Sequence, residues 1–320
     1  MSISISKEKR QNCLKLITEL YSKNSITIRF LAQVIGKLIS VCPAIKYGLL
    51  YTKELERTKF LSLLKNNDNF ESKTSLTERC KDDLRWWSRI IMKSTNNIRK
   101  NNYQLEIFSD ASRTGWGASC GAKQTGGTWT EQELKLHINS LELLAAFFAL
   151  KCFASHVTNS NLLLRIDNIT AVSYINRYGG IQYPHLHKLS KQIWQWCELR
   201  NIHIFATYIN TKDNIIADFE SRKQLANTEW ELNEIYYNKI VSVLRKPTMD
   251  LFASRTNAKC ECFISWHPDP EAFAIDAFTL CWSKFHFYAF PPFSMVLKTL
   301  EKIITDKAKG IHILCTRTSA

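Results

Sequence analysis

The 320-residue sequence predicts an α/β protein, in which a mixed five-stranded sheet with flanking helices is preceded by a small helical domain and followed by a smaller α/β segment. Three observations lead there. Over residues 101–222, strand-like and helix-like runs follow one another as three strands, helix, strand, two helices, strand, helix, an order that gives an α/β domain with a mixed sheet. Residues 1–100 carry helical periodicity alone. Residues 223–320 form a third segment, rich in Trp, Phe and Pro.

In the first segment, "RQNCLKLITELY", "IRFLAQVIGKLISV" and "CKDDLRWWSRIIMK" space apolar residues three and four apart, and polar breaks such as "KNNDNFESKTS" separate them. The central segment opens with "LEIFSD", "GWGASC" and "GGTWT" as a three-stranded meander. A helix, "NSLELLAAFFALKCFASH", follows. Then "NLLLRID" reads as a buried strand, "NITAVSYIN" and "HLHKLSKQIWQWCELR" as helices, "IHIFATYI" as a strand and "NIIADFESR" as the last helix. Trp116 and Trp129 fall where a strand buries one face.

The net charge is +14, and Lys and Arg outnumber Asp and Glu by 11 within residues 1–100 alone. That skew points to a polyanion partner near the N-terminal third, and equally to a solvated helical surface. Ten cysteines show no zinc-quartet or disulfide spacing, which fits buried thiols in a reducing compartment. The longest apolar run, around 141–150, is too short for a bilayer and contains Glu142, and no signal peptide stands at the N-terminus. The expectation is a soluble intracellular protein with no membrane partner.

Glu142 poses the chemical question. Its helical neighbours Ile138, Ala145 and Ala146 offer no ion-pair or hydrogen-bond partner, and a buried unpaired carboxylate costs several kcal/mol by order of magnitude. Asp110 ends the first strand, Asp167 ends the fourth, and Asp218 sits on the final helix. A single strand-end Asp is more often a helix cap than a ligand. Four converging carboxylates without lysines repel one another unless they bind hard divalent cations. Such an arrangement suits two-metal phosphodiester hydrolysis, and Glu142 then reads as a metal ligand.

The order Asp-Glu-Asp-Asp, with "SDASRTGWGAS" forming a hairpin after the first, resembles ribonuclease H of the retroelement type over residues 105–222. The resemblance implies that Asp110, Glu142, Asp167 and Asp218 bind two Mg²⁺ ions, with Mn²⁺ able to substitute, and cut the RNA strand of an RNA/DNA hybrid. It also implies nucleic-acid contacts from Ser112, Arg113, Asn168 and Tyr208. Asn168 is equally placed to cap the next helix. Tyr208 stands ten positions before Asp218, where many ribonucleases H carry a histidine, and it is equally placed to finish the last strand.

"HINSLELLAAFFAL", "RIDNITAVSYINRYGG" and "NIIADFESR" resemble the ribonuclease H segment of DIRS-type, tyrosine-recombinase retrotransposons. "IRFLAQVIGKLISVCPAIKYGLLYTKELERTK" with "DLRWWSRII" is similar to the thumb and connection of their reverse transcriptases. No Tyr-x-Asp-Asp tetrad occurs, so the expectation is a C-terminal part whose polymerase palm and fingers are absent and would act as partners. "MDLFASRTNAKCECFISWHPD" and "FHFYAFPPFSMVLKTLEKI" resemble the C-terminal region of the same polyproteins, distantly like phage-type adenine-N6 methyltransferases. There the tetrad begins with a polar side chain, whereas Phe290-Pro291-Pro292-Phe293 offers none, which implies an inactive remnant. The expected domains are therefore 1–100, 101–222 and 223–320. Two enzymatic rivals fail on order: DDE-type integrases bring their Glu last, and DEDD-type exonucleases need Asp-x-Glu on the first strand, where Ser112 stands two after Asp110. A non-catalytic nucleic-acid-binding remnant of a decayed or domesticated element is the remaining alternative.

Overall fold

The computed structural model describes residues 1–98, 102–223 and 231–314. The chain divides into two compact units. One comprises Met1–Leu105, Val157–Leu163 and Asn168–Thr207; the other comprises Glu106–His156, Leu164–Asp167 and Tyr208–Ala320.

Four helices come first: α1 (Lys7–Ser22), α2 (Ile28–Val41), α3 (Lys53–Lys65) and α4 (Glu78–Ile90). Ser6, Thr27 and Thr77 cap three of them by accepting a backbone N–H. α2 buries Ile28, Leu31, Ile35 and Leu38 at the spacing of one helix face. α3 was not legible in the sequence, because only Leu55 is buried while Phe60, Leu61 and Leu64 face solvent and leave no apolar stripe.

The central elements follow as β1 (Leu105–Ala111), β2 (Gly115–Cys120), β3 (Lys123–Thr128), α5 (Ile138–Ala154), β4 (Asn161–Ile166), α6 (Ile169–Asn176), α7 (Pro184–Leu199), β5 (His203–Tyr208) and α8 (Ile215–Arg222). The five strands form a mixed sheet in the order β3-β2-β1-β4-β5. β1 and β2 are antiparallel with Asp110 opposite Gly117, and β2 and β3 turn through Gly121-Ala122 with Gly121 at φ 58°. That two-residue turn starts β3 at Lys123, three residues ahead of the expected "GGTWT", and leaves Trp129 just beyond the strand. α5 is buried almost all round, as its composition requires.

Within the first unit, α7 is locked to the N-terminal helices. Tyr51 and Trp86 stack at 3.9 Å, and both donate to the Glu198 carboxylate, at 2.5 and 2.8 Å. Lys191 reaches Asp83 at 2.5 Å.

The C-terminal segment adds α9 (Glu234–Val243), β6 (Met249–Asp250), β7 (Cys262–Ser265), β8 (Ala274–Ile275), β9 (His286–Ala289), α10 (Val296–Asp306) and β10 (Lys309–His312). Its strands make an all-parallel sheet in the order β8-β7-β6-β9-β10 around Met249, Ile264, Trp282 and Phe287. Phe290 and Pro292, just past β9, line a cavity of about 450 Å³ with Trp266 and His267. Arg255 ties this segment to the central region, donating to the Glu133 carboxylate (3.0 Å from Nη1) and lying 4.5 Å from the centre of the Phe148 ring on α5. Among the described residues no helix is long and apolar enough to cross a membrane.

Candidate active site

Three of the four expected carboxylates converge. Asp110 is the penultimate residue of β1, Glu142 lies in the second turn of α5, and Asp167 directly follows β4. Each offers an oxygen within 4.8 Å of the others. Asp110 is 3% exposed and Glu142 5%. These positions follow from local structure: two strand ends present their side chains at one edge, and the apolar surface of α5 carries Glu142 down to them.

Burial and mutual repulsion disfavour the charged forms of these carboxyl groups. Burial pushes the Glu142 carboxyl up to about 9, and the charges of Asp110 and Asp167 add to the shift. Burial likewise raises Asp110 to about 6; the Ser221 hydroxyl opposes the rise, and Asp167 and Asp218 reinforce it. Among the described residues no ion pair reaches Asp110, Glu142 or Asp167, and Glu142 Oε2 is buried without a hydrogen-bond partner. An orphaned oxygen among all-oxygen, hard donors fits a divalent cation such as Mg²⁺.

Asp218 stands apart from this trio. Its Oδ1 accepts from Arg222, at 2.9 Å from Nε and 2.7 Å from Nη2, although its charge is felt at Asp110. The four expected nucleic-acid contacts also have defined places. Ser112 donates to the Ser221 carbonyl at 2.5 Å, and Arg113 is exposed and donates to the Leu136 carbonyl at 3.1 Å. Asn168 caps α6 by accepting from Ala171 N at 2.9 Å, and Tyr208 is the half-exposed last residue of β5.

Sequence reasoning missed two supporting hydroxyls. Ser221 donates to Asp110 Oδ2 at 2.6 Å, and Thr211 donates to Asp167 Oδ2 at 2.8 Å. Asn214, at the start of α8, donates to the Ser109 carbonyl at 3.1 Å. Ser221 had a usable signal, being a small polar residue one helical turn from Asp218. Thr211 lies in a loop without periodicity.

No family model matches the chain. It is similar to viral enzymatic polyproteins: 26% identical over 204 residues to that of carnation etched ring virus, covering 55% of this chain and 30% of the polyprotein. The polyprotein of cauliflower mosaic virus (strain Strasbourg) is also 26% identical over 204 residues, with 53% and 29% covered. The chain thus spans less than a third of the length of these relatives. Among solved structures, ribonuclease H1 from Halobacterium salinarum NRC-1 aligns at 19% identity over 36% of this chain and 92% of its own, with a TM-score of 0.31. LC11-RNase H1 in complex with RNA/DNA hybrid aligns at 17% identity over 37% and 93%, with a TM-score of 0.32. The foamy viral protease-reverse transcriptase in complex with RNA/DNA hybrid aligns at 14% identity over 72% and 30%, with a TM-score of 0.26.

Proposed function

We propose that the chain is a divalent-metal-dependent endonuclease of the ribonuclease H type, hydrolysing the RNA strand of RNA/DNA hybrids. The observation that carries the reading is the cluster of buried Asp110, buried Glu142 and half-buried Asp167, each with an oxygen within 4.8 Å of the others and with Glu142 Oε2 lacking a hydrogen-bond partner. Two bound Mg²⁺ ions would supply Lewis-acid chemistry for phosphodiester hydrolysis. Asp110, Glu142 and Asp167 would hold them, and Asp218 would join once Arg222 releases it. Ser112, Arg113, Asn168 and Tyr208 are the side chains assigned to the nucleic acid, and the basic residues of segment 1–100 would grip phosphates without sequence choice.

The finer reading is that this is the C-terminal part of a DIRS-type retrotransposon reverse transcriptase, divided as 1–100, 101–222 and 223–320, with palm and fingers as its partners. The segments flanking each carboxylate in the sequence support it.

The test is incubation of the purified chain with labelled RNA/DNA hybrid, single-stranded RNA and duplex DNA, with Mg²⁺ or with EDTA. Cleavage confined to the RNA of the hybrid, dependent on Mg²⁺ and lost in Asp110→Asn, is the expected result. Hybrid binding without cleavage would replace the reading with a non-catalytic nucleic-acid-binding remnant.

A further inference from the structure

The residues that hold Asp110 in place are as specific as the trio itself. Asp110 lies opposite Gly117 in the β1–β2 register, and α8 lies directly over Gly117. A Cβ at that glycine would come within 2.1 Å of the Ala217 carbonyl oxygen and 2.4 Å of Ser221 N. Only a glycine lets helix and strand approach so closely, and the approach brings Ser221 to Asp110.

Ser221 is 1% exposed, and its hydroxyl is 2.6 Å from Asp110 Oδ2 and 2.9 Å from the Asp218 carbonyl oxygen. Its backbone is fixed as well: the Ser221 carbonyl accepts from Ser112 Oγ at 2.5 Å, and the Ser112 carbonyl accepts from Trp129 Nε1 at 3.0 Å. Among the described residues, Ser221 is the only side chain that hydrogen-bonds Asp110.

We infer that Ser221 is a positioning residue for the cation site: its hydroxyl holds one oxygen of Asp110 and turns the other toward Glu142 and Asp167. The terminal torsion of an aspartate is soft, so without that donor the carboxylate rotates and presents its oxygens in several directions. Groups that orient a metal-binding side chain are typically worth roughly 10- to 100-fold in metal affinity. The inference rests on the proposed function, since it assumes that Asp110 binds a cation.

Titration calorimetry of Ca²⁺ into the full chain tests it, with wild type, Ser221→Ala and Ser221→Thr side by side. Hybrid affinity in EDTA and the cation-free melting temperature are measured on the same proteins. Ser221→Ala is expected to bind Ca²⁺ about tenfold more weakly, with hybrid affinity in EDTA unchanged, and Ser221→Thr to restore most of the loss by returning the hydroxyl. Wild-type Ca²⁺ affinity in Ser221→Ala overturns the inference while leaving the proposed function standing. An equal loss in Ser221→Ala and Ser221→Thr also overturns it, because packing rather than the hydroxyl would then be responsible. If wild type itself binds no Ca²⁺, the proposed function fails, and the inference with it.

Discussion

Asp83 and Glu142 are both buried carboxylates on helices, 1% and 5% exposed, and each keeps one oxygen without a hydrogen bond. They differ in what faces them. Asp83 meets Lys191 at 2.5 Å; burial still raises its carboxyl, but Lys191 holds the rise to about 6. Glu142 faces Asp110 and Asp167, and burial together with their charges drives it to about 9. A buried charge matched by a lysine is a fastener between α4 and α7. One faced by further negative charge, with no ion pair among the described residues, has the surroundings that the proposed cation site requires.

The largest expected effect separates the two directly. Under the proposed function, Glu142→Gln should lower hybrid cleavage at least about a thousandfold, since a bound ion would supply several kcal/mol of transition-state stabilisation and each 1.36 kcal/mol is tenfold. The same variant should melt higher than wild type in EDTA, because an uncompensated carboxylate is gone. A lower melting temperature for Glu142→Gln in EDTA would make Glu142 structural, like Asp83.

Asp83→Asn should do the reverse. Lys191 is 19% exposed, so water screens part of the loss, and a destabilisation of about 1–3 kcal/mol in urea unfolding is expected. Hybrid cleavage per folded molecule should be unchanged. A cleavage defect without loss of stability would break the comparison.

A third effect concerns pH. The cation-free fold holds protons on Glu142 and Asp110 that the unfolded chain has released, so its stability falls as pH rises from about 4.5 towards 9. Asp83 contributes in the same direction up to about 6. Mg²⁺ bound as proposed would relieve only the first pair, so it should raise the melting temperature more at about pH 8 than at about pH 5.5. Calorimetric scans with and without Mg²⁺ check this, and an equal gain at both values would place Mg²⁺ elsewhere.

The smallest effect lies at the fourth carboxylate. Arg222 is 63% exposed, so its pair with Asp218 is weak. Arg222→Gln should free Asp218 and lower the Mg²⁺ concentration for half-maximal cleavage by roughly two- to fivefold. An increase would show that the arginine assists cation binding rather than competing with it.

What the sequence revealed follows the range of the interactions. Glu142 stood out because its helical neighbours Ile138, Ala145 and Ala146 are apolar, a local property. The lysine that answers Asp83 is 108 residues away, so nothing near "CKDDLRWW" marks Asp83 as paired. The apolar run "NLLLRID" and the periodic run "IRFLAQVIGKLISV" gave a strand and a helix, although the strand expected to be buried buries only its alternate residues. The C-terminal parallel sheet did not show as strands, because its members are two to four residues long and too short to display a period. Ser221 and Thr211 act through hydrogen bonds to residues 111 and 44 positions distant, which no spacing rule reaches.

The most direct test of the central claim is an anomalous difference map from a crystal of the chain soaked in Mn²⁺. The account predicts a peak within about 2.5 Å of carboxylate oxygens of Asp110, Glu142 and Asp167, absent in Glu142→Gln crystals. A fully soaked crystal with no peak at the trio, or an unchanged peak in Glu142→Gln, would contradict it.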